Sequence, residues 1–294
     1  MADVIRGDFP VVEERAGAPR PLQTVAALNL SPEPGDVEGN LMLAGQAIRG
    51  LRGREPALRW VVLPELFTCG YSDLDAVHRH AEDAERGKSA SFFAGLAGEL
   101  GVFVAYGFPE GVPGQAAGVF DSANLVGPGG VLATYRKRNL VATTPERDVF
   151  VAGADLPVVE AGGLRISLAV CWDLGFPETV RESAVRGADL ILAPAAWREP
   201  WGYQYELSCA ARALDSGLHL ASANQIGTYP EARFGTLGHV YGPHGVRMSR
   251  PSGAASVARL DPGATGRWRT AYGDSLIDYG PSPEVGVGTL EVVS

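Results

Sequence analysis

The segment ISLAVCWDLGFPE, residues 166–178, carries an apolar strand directly into Cys171 and then into a helix that starts near Pro177. A nucleophile at such a strand-to-helix junction is thrust out at the sheet edge, and the backbone N–H groups that follow it can face a developing oxyanion. That geometry suits acyl transfer. The competing reading is a buried core cysteine, the common fate of an isolated Cys at a strand end. A thiol of pKa ~8.5 needs a base or a cation beside it to become a useful nucleophile, and histidine is the usual partner. The five histidines serve poorly. His219 lies inside the apolar run LHLASAN, His78 and His80 are two apart and share no helix face, and His239 and His244 sit in a Gly-rich region without an orienting acid. The same placements give no metal site.

Carboxylate and lysine are the other candidates. Glu65 follows the apolar strand RWVVLP, and Lys137 follows the strand VLATYR, so both stand at carboxyl ends of strands, where open α/β sheets collect their reactive groups. Taken singly, each also reads as an exposed charge at a strand end.

The elements that must position these residues alternate. Strand-like runs appear at 22–30, 59–64, 102–108, 164–171, 188–194 and 218–224. Helical spacing appears between them, at 36–53, 88–100, 178–188 and 203–217, the first opened by an Asp and several closed by Gly. VFDSANLVGPGGVLATYRK, 119–137, reads as a hairpin, two strand runs about a Gly/Pro turn. The result is an α/β fold with mixed sheets. The last third reads as short strands and a tail, and residues 1–21, polar and containing Pro and Gly, read as an extension outside a single domain over 22–294.

Composition narrows the function classes. With 294 residues and 46% hydrophobic content, the chain can bury a sizeable core. A formal net charge of -9 argues against a nucleic-acid surface, which needs clustered cations. Cys69, Cys171 and Cys209 are too few and scattered for a disulfide framework, so a reducing compartment is expected. No apolar run of roughly 18 residues or secretory pattern is present, which points to a soluble cytoplasmic protein without membrane contact. Cys69 and Cys209 have no charged partner in sequence and read as inert packing groups.

PELFTCGYS (64–72), YRKRNL (135–140) and CWDLGFPE (171–178) occur in the order and approximate spacing of the motifs of the nitrilase, or carbon–nitrogen hydrolase, superfamily. The chain resembles that family over roughly residues 22–250, including LQTVAALNLSPEPGDVEGNL, GADLILAPAAW and ARALDSGLHLASANQIG. The resemblance implies a four-layer αββα sandwich, commonly dimeric or larger through helix pairing and C-terminal exchange. It implies Cys171 as nucleophile, Glu65 as general base and acid, and Lys137 as stabiliser of the tetrahedral intermediate. Glu146, with Asp148 close by, aligns with a second glutamate that positions substrate and lysine, and the Trp172 backbone N–H would serve the oxyanion. Tyr71, Trp197, Arg198 and also Trp201 are pocket candidates. Gly175 stands where many members have arginine, so that arginine's carboxylate-binding role is unavailable and substrates with an anion there lose support; Asp173 stands where true nitrilases usually have glutamate, so the pattern is amidase-like.

The expectation is therefore a hydrolase that cleaves a linear carboxamide through a thioester, releasing ammonia or an amine, with no cofactor or metal. Its partners would be a small amide and further copies of itself. N-carbamoyl amide hydrolysis and nitrile hydrolysis are the alternatives within the family. A glutaminase-like ammonia supplier and a non-catalytic binding protein are alternatives outside it.

Overall fold

The computed structural model describes residues 21–272, apart from 73, 75, 113 and 115–117. The expected extension over 1–21 and the tail beyond 272 therefore lie almost wholly outside the described residues. The chain opens with β1 (Gln23–Leu28), α1 (Val37–Arg54), β2 (Leu58–Val62), α2 (Lys88–Leu100) and β3 (Phe103–Gly111). The hairpin β4 (Val119–Gly127) and β5 (Gly130–Arg136) follows, then the short α3 (Glu146–Val149), β6 (Val158–Ala161) and β7 (Leu164–Leu168). The rest comprises α4 (Pro177–Val185), β8 (Leu190–Ala195), α5 (Gly202–Asp215), β9 (His219–Asn224), β10 (Gly227–Thr228), β11 (Arg233–Phe234), β12 (Val240–Tyr241), β13 (Arg250–Ser252), β14 (Ala255–Leu260) and α6 (Ala264–Tyr272).

Two mixed sheets face each other. The first runs β13-β14-β1-β2-β3-β4-β5 and the second β12-β9-β8-β7-β6, with β1, β2 and β3 parallel in one and β7, β8 and β9 parallel in the other. Alternation along the strands explains the layers, because successive side chains point to opposite faces. Val25, Ala27, Trp60, Val62, Ala105, Ala123 and Leu125 enter the core shared with the second sheet. Their neighbours Ala26, Leu28, Val61, Leu63, Val104 and Tyr106 pack instead on Leu41, Ile48 and Leu51 of α1 and Phe93 and Leu96 of α2. Val180 and Ala184 of α4 and Tyr205, Cys209 and Ala213 of α5 cover the far face of the second sheet. The result is the four-layer αββα sandwich.

Local signals set the helix ends. Asp36 Oδ1 accepts the Gly39 N–H at 2.9 Å and caps α1. Gly101, at φ +66°, closes α2 in the left-handed conformation that glycine adopts without strain. Pro177 opens α4.

Three details depart from the sequence reading. The strand before Cys171 ends at Leu168, and Cys171–Gly175 form a 3-10 turn between it and α4. The short α3 and the α6 helix were not expected. In α6 the sequence ATGRWRTAY has no apolar stripe; the helix is held by polar contacts, with Thr265 Oγ1 donating to the Asp189 carbonyl at 3.3 Å and an Arg269 N–H to that of Ala188 at 2.9 Å. Such contacts leave no hydrophobic periodicity to read.

Candidate active site

Glu65, Lys137 and Cys171 each follow the carboxyl end of a strand: β2, β5 and β7 respectively. In the first sheet β2 and β3 are parallel and two antiparallel steps lead to β5, so β2 and β5 end on the same side. The Glu65 N–H donates to the Ala195 carbonyl at 3.3 Å, tying this end of the first sheet to the end of β8 in the second. Residues from both sheets thus converge at one end of the sandwich.

The backbone there is tightly built. Leu66 and Cys171 are the non-glycine residues with positive φ among the described residues, both at +44°. For L-residues this conformation costs free energy, so surrounding contacts must hold it. Behind Glu65, a Cβ added to Gly107 would lie 2.4 Å from Leu66 N and 2.7 Å from Glu65 Cα, so glycine is required for β3 to approach. Asp173 holds the Cys171 turn. Its Oδ2 accepts the Val170 N–H at 2.9 Å and the Tyr135 hydroxyl at 2.8 Å, while Oδ1 accepts the Asn139 backbone and side-chain N–H groups at 3.0 and 2.8 Å. Tyr135 and Asn139 flank Lys137, so this one carboxyl fixes the turn of Cys171 against the strand end of Lys137.

The Lys137 ammonium is fully buried. It donates to Glu65 Oε1 at 2.6 Å and Glu146 Oε1 at 2.8 Å, and stands 3.4 Å from Asp121 Oδ2. Glu146 is further held by the Tyr71 hydroxyl, donating to Oε1, and by the Val141 N–H on Oε2 at 2.8 Å. The oxygens of Glu65, Asp121 and Glu146 lie within 4.8 Å of one another, a spacing that could surround a cation. The lysine already occupies that role, which makes the cluster a poor metal site.

Charge and burial oppose each other here. Desolvation depresses the Lys137 pKa, but the three carboxylates outweigh it and hold the ammonium well above its ordinary range. For the Cys171 thiol, burial and the nearby Glu65 carboxylate push the pKa well up, against the opposing pull of Lys137 and a hydrogen bond from the Ala196 backbone. The thiol therefore rests protonated, and needs a base to remove its proton during attack. A buried carboxylate paired with a lysine is suited to that, and the lysine to an oxyanion.

Trp172 and Trp197 lie against each other with ring centroids 5.2 Å apart, and Trp197 continues onto Tyr205 at 5.5 Å. Of the pocket candidates, Tyr71 thus reaches the cluster through Glu146, and Trp197 lies beside the residue that follows Cys171. Arg198 is half-buried. Trp201 is instead 51% exposed at the start of α5 and is no part of this aromatic stack. The histidines are elsewhere: the buried His219 contacts Thr265 at 3.3 Å, and His239 contacts Ser249 and Ser256. Cys69 and Cys209 are buried and form no disulfide, and the Cys69 thiol contacts the Leu66 and Gly70 carbonyls at 3.7 and 3.6 Å.

Sequence reasoning missed two acids in the network, Asp121 and the clamp made by Asp173. A signal for Asp121 was present. The alternation in VFDSANLV places it on the same face as Ala123 and Leu125, which enter the core between the sheets, where an acid is anomalous.

Compared with known proteins, residues 24–270 match the model of the carbon-nitrogen hydrolase family. A Schizosaccharomyces pombe protein named "Probable nitrilase C965.09" is 31% identical over 222 residues, covering 75% of this chain and 81% of the relative. A 2-oxoglutaramate amidase of Bacillus subtilis is 28% identical, over 68% of this chain and 76% of the relative. Among solved structures, a mutant amidase from Nesterenkonia sp., showing covalent addition of the acetamide moiety of fluoroacetamide at the active site cysteine, superimposes with TM-score 0.72 at 29% identity. That match covers 85% of this chain and 94% of the amidase chain.

Proposed function

Since the chain belongs to the carbon–nitrogen hydrolase family, we propose that it is an amidase that hydrolyses a small linear carboxamide through a thioester on Cys171. The observation that carries this reading is the buried Lys137 ammonium held by Glu65 and Glu146 where the Asp173 carboxyl joins the Cys171 turn to the Lys137 strand. Two of the matched relatives are named amidases, one of them trapped as a covalent adduct on its cysteine, which supports the same chemistry here.

In the proposed reaction, Glu65 takes the thiol proton as sulfur attacks the amide carbon, and the oxyanion is stabilised by Lys137 with the Trp172 backbone N–H. Collapse breaks the C–N bond, Glu65 returns the proton to the departing ammonia or amine, and the acyl group remains as a thioester. Water then attacks the thioester, giving one proton to Glu65 and leaving the other on the product acid. Cys171 departs and recovers its proton from Glu65. Glu146 positions the lysine, and Tyr71 positions Glu146. No step calls on a metal or organic cofactor.

A homo-oligomer is part of the proposal. Tyr203, Leu207 and Leu214 form one exposed apolar stripe on α5, opposite its buried residues Tyr205, Cys209 and Ala213, and helix pairing between copies would cover it. Among the described residues no helix is long and apolar enough to cross a membrane. Three cysteines that form no disulfide fit a reducing compartment such as the cytoplasm.

The test is ammonia release from a panel of short amides, N-carbamoyl amino acids and nitriles, with mass spectrometry for acylated Cys171. Turnover of amides with an acyl adduct on Cys171 is expected. Turnover confined to nitriles or carbamoyl compounds, or amide turnover retained by Cys171→Ala, would overturn the reading.

A further inference from the structure

The carboxyl of Asp121 has no place in the mechanism above, and its surroundings are unusual. It is fully buried, and among the described residues neither of its oxygens has a hydrogen-bond donor; Glu65 Oε2 is in the same position. The carboxyl oxygens of Asp121 and Glu65 lie within 4.8 Å of one another, so the two side chains are immediate neighbours. Two facing carboxylates with orphaned oxygens in a buried cluster repel each other and forgo hydrogen bonds at once. One proton between them removes both penalties.

Which carboxyl holds that proton follows from the compensation each receives. Glu65 has the Lys137 ammonium at 2.6 Å, and Glu146 has the same ammonium at 2.8 Å, the Tyr71 hydroxyl and the Val141 N–H. Asp121 has only the distant side of the ammonium, 3.4 Å from Oδ2, and no hydrogen bond from it. With all three acids ionised against one lysine the buried cluster would carry two uncompensated negative charges, and with Asp121 neutral it carries one.

We propose that Asp121 is a neutral carboxylic acid at physiological pH, donating its proton to Glu65 Oε2 and turning its carbonyl oxygen toward Lys137, and that it thereby acts as a positioning residue for the base. The direction of its acidity agrees: burial, with Glu65 next, pushes the Asp121 carboxyl well above the ordinary carboxylate range. Hairpin register places it there. Ser122 pairs with Arg136 in β4 and β5, and the Lys137 N–H donates to the Asp121 carbonyl at 2.8 Å, so acid and lysine are opposite one another where the ribbon meets Glu65.

The activity arm rests on the proposed reading of Glu65 as base; the spectroscopic arm does not. Infrared spectra of the full-length protein and of Asp121→Asn at neutral pH are compared in H2O and D2O for the C=O stretch of a protonated carboxyl. That band is expected in the wild type, shifted by deuteration, and absent from the variant. Asparagine is a neutral isostere whose N–H can still donate to Glu65, so Asp121→Asn should retain kcat within about threefold and leave the pH–activity profile in place. Asp121→Leu, without a donor, should lower kcat by about tenfold or more with little change in KM. A wild-type spectrum without the band would overturn the protonation, whatever the activity. A band accompanied by a displaced pH profile in Asp121→Asn, or by Asp121→Leu as active as wild type, would overturn the positioning role. A band in a protein that hydrolyses no amide would sustain the inference while the proposed function failed.

Discussion

Asp173→Ala should both loosen the fold and misplace Cys171, the proposed nucleophile, because one carboxyl accepts four hydrogen bonds between the Cys171 turn and the Lys137 strand. The substitution leaves the Val170 N–H and the Tyr135 hydroxyl, both in fully buried residues, without acceptors. An orphaned buried donor costs ~1–3 kcal/mol, so these two together cost about 2–6 kcal/mol. The half-buried Asn139 can turn to water, and the variant escapes the burial of a carboxyl, which pushes the Asp173 pKa up in the native protein. Both effects favour the lower part of the range, about 3 kcal/mol, or a fall in Tm of ~6–12 °C at the ~2–4 °C per kcal/mol of domains this large. The Cys171 turn, at φ +44°, is then free to relax, and a displacement on the order of 1 Å is worth ~10²-fold in rate. Thermal unfolding would be followed by circular dichroism, kcat by ammonia release, and acylation of Cys171 by mass spectrometry below the variant's Tm. A variant that melts within about 2 °C of wild type and acylates at the wild-type rate would refute the clamp.

Glu65→Gln keeps size and an acceptor for Lys137 yet removes the base, so turnover should fall by ~10²-fold or more while circular dichroism shows a folded protein; normal acylation of Cys171 in this variant would contradict the assignment. The Cys171 thiol is held neutral by burial and Glu65, so its alkylation by iodoacetamide should lag behind a model thiol of pKa ~8.5 and accelerate only at higher pH, as peptide mapping after timed quenching would show. His219 has its pKa lowered to about 4 by burial, against an ordinary 6.5. The unfolded chain therefore binds this proton first as pH falls, and stability should decline from about pH 6.5 down to about 4 by ~3 kcal/mol. His219→Asn should flatten that part of the denaturation profile and leave turnover within about tenfold, less than loss of a general acid–base would cause.

What the sequence determined by itself was local or periodic. Short apolar runs such as QTVAAL and FVAYGF, helical spacing in α1, α2, α4 and α5, the Asp36 cap and the glycine stop at Gly101 all act within a few residues, so the order of these strands and helices was legible. The strand-end positions of Glu65, Lys137 and Cys171 could be read the same way, and their motif spacing identified the family.

The tertiary structure decided how charge is compensated among those ends. Whether Lys137 is solvated or buried between Glu65, Glu146 and Asp121 depends on two sheets packing face to face and on hairpin register, which a linear pattern does not contain. Asp173 likewise acts only because Tyr135 and Asn139, more than thirty residues away, are brought to its two oxygens. The exposure of Trp201 and the docking of α6 were not legible for a related reason: exposure and polar docking are set by neighbours, not by periodicity. Local steric preferences and hydrophobic patterning can specify the elements in one dimension. The free energy of a buried charge depends on distances through space, and those are established only when the sandwich closes.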